Sequence, residues 1–365
     1  MSTLDELIHY SNEPDPIGAL MLTGEWGCGK TYMVQKELTK ALKDTHIIVR
    51  VSLFGMSSAK MLQEAIRQKW LEACLPVLGT LQKAKNKGAF SAFNSVLRKI
   101  NPMAGSAADV MVSMNFSDVI TPKPEVEDLK SNEKKKVIIV YDDLERAAAD
   151  VSELMGVINN YCENHGFNTI ILANEEALRQ ELKDDEITYH FLREKTISQT
   201  VYHIPDYEAV IGSIIKKTKW QSEDYAEYLS AHEDLIREVF TSDSEETDML
   251  YNREKIRKNH NFLTLTKGLQ SFYRIYYHLI NGGEEPGDNR LYSFLAYYLS
   301  EKGGIYKDGM PCIEVDDKDI KELYPRFSQD ELTDAERLWI TTGIWDGRFF
   351  PSRMQQEEKT AEDVE

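Results

Sequence analysis

The run Gly24-Glu25-Trp26-Gly27-Cys28-Gly29-Lys30-Thr31 constrains this chain more than any other feature. It has the spacing G-x-x-x-x-G-K-[ST] of a loop that wraps a phosphate chain. Its flanks fit that reading. Ile17 to Thr23 (IGALMLT) reads as a short buried strand and Tyr32 to Leu42 as the helix that follows. A glycine-rich turn between strand and helix points backbone N–H groups, and the positive helix end, into one concavity. Gly24, Glu25, Trp26, Gly27, Cys28, Gly29, Lys30, Thr31 and Tyr32 are the residues expected to hold a nucleotide. Lys30 reaches for the β- and γ-phosphates in such a loop, and the Thr31 hydroxyl for Mg²⁺.

Such a loop needs an acid at a neighbouring strand tip. Val137-Ile138-Ile139-Val140-Tyr141 is a continuous apolar run, as in a strand buried on both faces of a parallel sheet, and it ends in Asp142-Asp143-Leu144-Glu145-Arg146. Asp142 is the expected metal ligand. Asp143 is the expected residue for orienting or deprotonating water, with Glu145 as a second candidate. The same acids also suit the start of the next helix. Lys134-Lys135-Lys136, just upstream, reads as the charged end of a loop. A third strand, Asn168 to Ala173, ends at Asn174, which either contacts the γ-phosphate or the attacking water, or caps the helix after it.

Together these elements predict an α/β fold, a parallel sheet flanked by helices followed by an all-helical C-terminal extension. The expected divisions are a nucleotide core at 1–206 with a helical insertion at about 75–133, a helical lid at 207–283, a further helical unit at 284–350 and a disordered acidic tail at 351–365. Within the insertion, 83–100 and 106–114 read as helices. A second strand is expected from His46 to Leu53, and Thr264 to Ile280 reads as an amphipathic helix with Leu265, Leu269, Phe272, Ile275, Tyr276 and Leu279 on its apolar stripe.

Charge and cysteine usage narrow the function. Acidic residues number 61 against 43 basic, a net charge of −18, which disfavours nucleic acid as a main ligand. Cys28, Cys74, Cys162 and Cys312 show no metal-ligand spacing and read as reduced thiols. No leader pattern and no apolar run of membrane-spanning length is seen, so a cytoplasmic location is expected. No N-K-x-D element follows the acidic strand, so ATP rather than GTP is the expected nucleotide.

The loop, with Trp26 in place, resembles the G-x-W-G-x-G-K-[ST] of the KAP family of P-loop NTPases. Tyr141 to Arg146 is similar to that family's D-D-L-D-R, with Glu145 for the last Asp; Val51 to Gly55 and Glu194-Lys195 match further family segments. The similarity covers about residues 15–280. It implies an ATPase core with a helical lid, Mg²⁺, a homo-oligomer that shares nucleotide sites, and a role in conflict with mobile elements, commonly defence against phage. No nuclease, protease or deaminase constellation accompanies the loop in sequence, so any destructive chemistry in such a pathway is expected on a separate effector protein. Two departures stand out. Many members carry membrane helices between the two motifs, and the insertion here is too polar for that. The family's lid arginine, from N-x-R-T-L, is replaced by Leu263 in Asn261-Phe262-Leu263-Thr264-Leu265. Arg257, Lys258 and Lys267 are candidate substitutes, and Arg193 and Lys195 are candidates for reaching the phosphate in cis or in trans.

Overall fold

The structure, a computed structural model, describes residues 2–74, 121–127, 133–181, 186–241, 257–258, 260–307, 310–312 and 315–345. It divides into two compact units, one of residues 1–24 and 30–204, the other of residues 25–29 and 205–365.

The first unit is built on a sheet of strands β1 (Ala19–Thr23), β2 (His46–Ser52), β3 (Glu125–Glu127), β4 (Lys134–Asp142), β5 (Asn168–Ala173) and β6 (Ile197–Tyr202). The order is β2-β4-β5-β1-β6, all parallel, with β3 added antiparallel on β4. Strand parity sorts the apolar runs into two cores. Met21, Ile139, Tyr141 and Ile171 face one side, packed on helix α3 (Ala59–Cys74) and helix α4 (Val151–Asn159). Leu20, Leu22, Ile138, Val140, Ile170 and Leu172 face the other. That second face is covered by α1 (Thr3–Asn12) and by α2, the helical segment that follows the phosphate loop, Lys30–Tyr32 continuing through a wide π stretch, Met33–Leu38, into Thr39–Leu42. A strand buried on both faces has no polar side, which is why these runs show no hydrophobic alternation. Helix α1 is pinned by Tyr10, whose hydroxyl donates to Gly18 O at 2.8 Å and accepts from Thr169 N at 3.0 Å.

Three expectations are corrected here. Lys134 to Lys136 is not a loop: it opens β4, opposite Glu127, Val126 and Glu125 of β3, where cross-strand charges of opposite sign make pairing favourable. Residues 125–127 of the expected insertion are therefore strand; the helices expected at 83–100 and 106–114 lie outside the described residues. Ile17 is not in β1 but 91 % exposed.

The second unit is mainly helical: α7 (Tyr207–Lys217), α8 (Glu223–Ala231), α9 (Glu233–Thr241), α10 (Phe262–Gly282), α11 (Asp288–Gly303), α12 (Asp317–Leu323) and α13 (Asp334–Thr342), after α5 (Glu175–Glu181) and α6 (Glu186–Thr196) of the first unit. It is not all-helical. Arg257–Lys258, Ile305–Lys307 and Met310–Cys312 form a small antiparallel sheet whose strands are too short to show periodicity. Helix α10 carries the expected stripe: Leu265, Leu269, Phe272, Ile275 and Tyr276 are buried and Leu279 packs beside them. These residues share one core with Leu291, Phe294, Leu295, Leu323 and Trp339, so no break in packing falls between residues 283 and 284. Among the described residues no helix is long and apolar enough to cross a membrane.

Candidate functional site

In the first unit, the period of two along β4 decides which acid faces the phosphate helix. Ile138 and Val140 point to that helix, and Asp142 continues their row while Tyr141 points away. Asp142, buried at the strand's end, accepts a hydrogen bond from the Thr31 hydroxyl at 2.9 Å on Oδ2. The two expected metal ligands, 111 residues apart in sequence, are therefore in contact. A hydroxyl and a carboxylate are hard oxygen donors, the set that suits a small divalent cation binding through one or two protein groups and its own waters.

Asp143, next in the chain, turns away from the strand. It is the only non-glycine residue at positive φ (62°) among those described, a costly conformation at a position already suspected of chemistry. It precedes the short turn Leu144–Arg146, with Ser52 Oγ 3.5 Å and Arg146 3.7 Å from its carboxylate. Burial, then the neighbouring Asp142 charge, push its carboxyl above the usual range; Arg146 and Arg50 oppose this. Glu145 lies half-buried in the same turn.

Lys30 is buried, its Nζ donating to Gly24 O at 2.7 Å across the base of the loop. Asn174, buried at the tip of β5, uses Oδ1 to accept from Ala177 N at 3.3 Å, so it caps α5; β5 lies between β4 and β1, which puts this residue between the acidic strand and the loop strand. Arg193 reaches the same end of β5 but is engaged there, donating to Glu175 at 2.8 Å and to Thr200 at 2.9 Å. For Lys195 only the cis half of the expectation is corrected. It pairs with Glu163 at 3.1 Å beside the N-terminal ends of β5 and β6. Loop and acids sit at the C-terminal strand ends of this parallel sheet, so Lys195 is at the wrong edge to act in cis.

Arg50 was not foreseen. It interrupts β2 on the face of the phosphate helix; its Nε donates to Oδ2 of Asp142 at 2.8 Å, and its Nη2 lies 2.7 Å from the same oxygen as an ion pair. The signal available in sequence was a lone arginine inside an otherwise apolar strand, HIIVRVS, which demands a nearby acid.

The second unit contains the middle of the loop. Gly27 (φ 76°) and Gly29 (φ 102°) adopt backbone conformations that side chains resist, and a Cβ on Gly27 would overlap the Asn261 side chain. Asn261 caps α10, its Oδ1 accepting from Leu263 N at 3.0 Å and Thr264 N at 3.1 Å, and Phe262 N donates to Gly27 O at 3.2 Å. Glu25 is buried and forms an ion pair with Arg257. Cys28 is buried, Trp26 half-buried. Leu263 is 59 % exposed and supplies no charge. Of its candidate substitutes, Lys258 is turned inward onto Val239 O (3.2 Å) and the Tyr324 ring (4.2 Å), which removes it; Lys267 is exposed on α10; Arg257 is held at Glu25. His260 is buried among Tyr207 and Phe240, and burial, then Lys258 and Arg257, push its imidazole down to about 3.

The loop, the strand order and the Thr31–Asp142 contact are now joined by a direct comparison. The profile of the KAP family P-loop domain matches residues 1–278. The chain belongs to the KAP family of P-loop NTPases. No curated protein matches it. Membership in the KAP family makes the chain a nucleotide-binding NTPase. The KAP match begins at residue 1 and so takes in helix α1.

Proposed function

We propose that the chain is a Mg²⁺-dependent ATPase that works as a nucleotide-driven switch. The observation that carries this is the 2.9 Å contact between Thr31 Oγ1 and Asp142 Oδ2, with Asp143 beside it in a left-handed turn. Thr31 and Asp142 would hold Mg²⁺, which when bound would supply positive charge for the phosphate oxygens. The loop amides fix the phosphates, Lys30 leaves Gly24 O for the β/γ oxygens, and Asp143 orients water and takes its proton. The defence setting and shared nucleotide sites are supported by the family resemblance, and the separate effector by the sequence's lack of a nuclease, protease or deaminase constellation.

Lys30→Ala should abolish nucleotide binding. Asp143→Ala should keep binding and lower turnover by about 10²- to 10⁴-fold, the usual worth of a positioned base. Calorimetry and phosphate release measure the two quantities. Normal turnover in Asp143→Ala, with loss in Glu145→Ala, would transfer the base role to Glu145.

A second reading, an ATP-gated scaffold with little turnover that controls a partner, is favoured by the cation inventory. Leu263 stands at the lid arginine's position and Lys258 and Lys195 face elsewhere. Turnover well above background at any protein concentration would sink it.

A further inference from the structure

The Asp142 carboxylate meets both Thr31 and Arg50 through one oxygen. Oδ2 accepts from the Thr31 hydroxyl at 2.9 Å and from Arg50 Nε at 2.8 Å, and Arg50 Nη2 forms an ion pair with it at 2.7 Å. Asp142 is buried; the Arg50 side chain is 34 % exposed, so the guanidinium reaches the acid from the solvent side and has room to withdraw. Its backbone is fixed by the parallel pairing of β2 on β4, in which Ser52, two residues on, stands opposite Asp142. Arginine is always charged, and it is more weakly hydrated than an ammonium, so it tolerates such a half-buried pairing.

This arrangement creates a competition. Asp142 and Asp143 are adjacent acids at the place where a polyphosphate must arrive, and without a positive charge the three would repel. Two cations can meet that need, the guanidinium of Arg50 and a divalent ion on Thr31 and Asp142, and both address the same carboxylate. Resting on the metal-site reading above, we propose that Arg50 is the built-in counter-ion of the metal site: it neutralises Asp142 in the metal-free protein and yields that carboxylate when the divalent cation enters with nucleotide. Arg50 is a positioning residue in this account, since it acts through Asp142.

The role predicts an effect on metal dependence that a purely structural ion pair would not produce. The test measures ADP affinity with Mg²⁺ and with a chelator, ADP being used so that no turnover intervenes; the readout is the ratio of the two affinities. In Arg50→Met the metal-free affinity should fall and the Mg²⁺-loaded affinity should hold, so the ratio rises about tenfold, the size of losing charge-assisted hydrogen bonds. Arg50→Lys keeps the charge but not the two-pronged geometry and should raise the ratio by a smaller factor, about threefold. Melting temperatures report which variants fold; if Arg50→Met does not, Arg50→Lys decides. An unchanged ratio in a folded variant, or equal losses with and without Mg²⁺, overturns the proposal. Asp142→Asn separates it from the reading beneath it: if that variant keeps the full Mg²⁺ enhancement, the metal-site assignment itself fails. If it loses the enhancement while both Arg50 variants match the parent, only the counter-ion role falls.

Discussion

At the scale of single residues, the loop is shaped by what cannot be there. Gly27 combines a positive φ with a side-chain neighbour, Asn261, that occupies the space of a Cβ. Gly27→Ala therefore strains the turn and dislodges the cap of α10. The left-handed conformation costs about 1–2 kcal/mol and loss of an asparagine cap about 1 kcal/mol, so denaturant titration should show a loss of roughly 2–3 kcal/mol. Parent-like stability would mean that Asn261 can cap α10 from another rotamer. The residues that carry chemistry differ in how far sequence exposes them. Lys30, Thr31 and Asp142 lie in motifs with a recognisable spacing, so they could be named from sequence as site candidates. Arg50 belongs to no motif, because its constraint is one carboxylate on a neighbouring strand. The partners of Lys195 and Lys258 were equally out of reach: a lysine at helical or strand spacing does not reveal which edge of the sheet, or which core, it faces.

At the scale of elements, the legible ones were those with a strong period or a strong apolar run. Strand β5 has the bounds its sequence announces, Asn168 to Ala173, and α10 buries the stripe its 3.6-residue spacing marks. The short strands of the second unit and the Lys134–Lys136 opening of β4 were hidden, since their pairing is decided by a distant partner rather than by local preference. The element leading into α10 also carries an acid-sensitive group. Among the described residues His260 is buried with no hydrogen-bond partner on either ring nitrogen, and its imidazole is pushed from 6.5 down to about 3 by burial, Lys258 and Arg257. Glu25, 3.9 Å from Nδ1, does not offset them. A depressed folded value means the unfolded chain takes up the proton first. The stability His260 contributes is thus present above pH 6.5 and lost as pH falls toward 3, about 2 kcal/mol of it by pH 5. His260→Phe, which suits the aromatic surroundings, should flatten the decline in stability between pH 6.5 and 5. A decline as steep as the parent's would assign the acid sensitivity to other groups.

At the scale of the whole molecule, the chain combines a nucleotide-binding sheet with a mainly helical unit that includes residues 25–29 of the phosphate loop. With a net charge of −18, duplex DNA at physiological salt should leave ATP turnover unchanged; clear stimulation would point instead to a DNA-coupled motor. The central claim is that Thr31, Asp142 and Asp143 make a working ATPase, completed where needed by a second copy. It is tested most directly by steady-state ATP turnover across a wide range of protein concentrations, with mass determined in parallel with and without ATP. The account predicts Mg²⁺-dependent turnover whose specific activity rises with concentration together with an ATP-dependent oligomer. Tight nucleotide binding with no turnover at any concentration would contradict it.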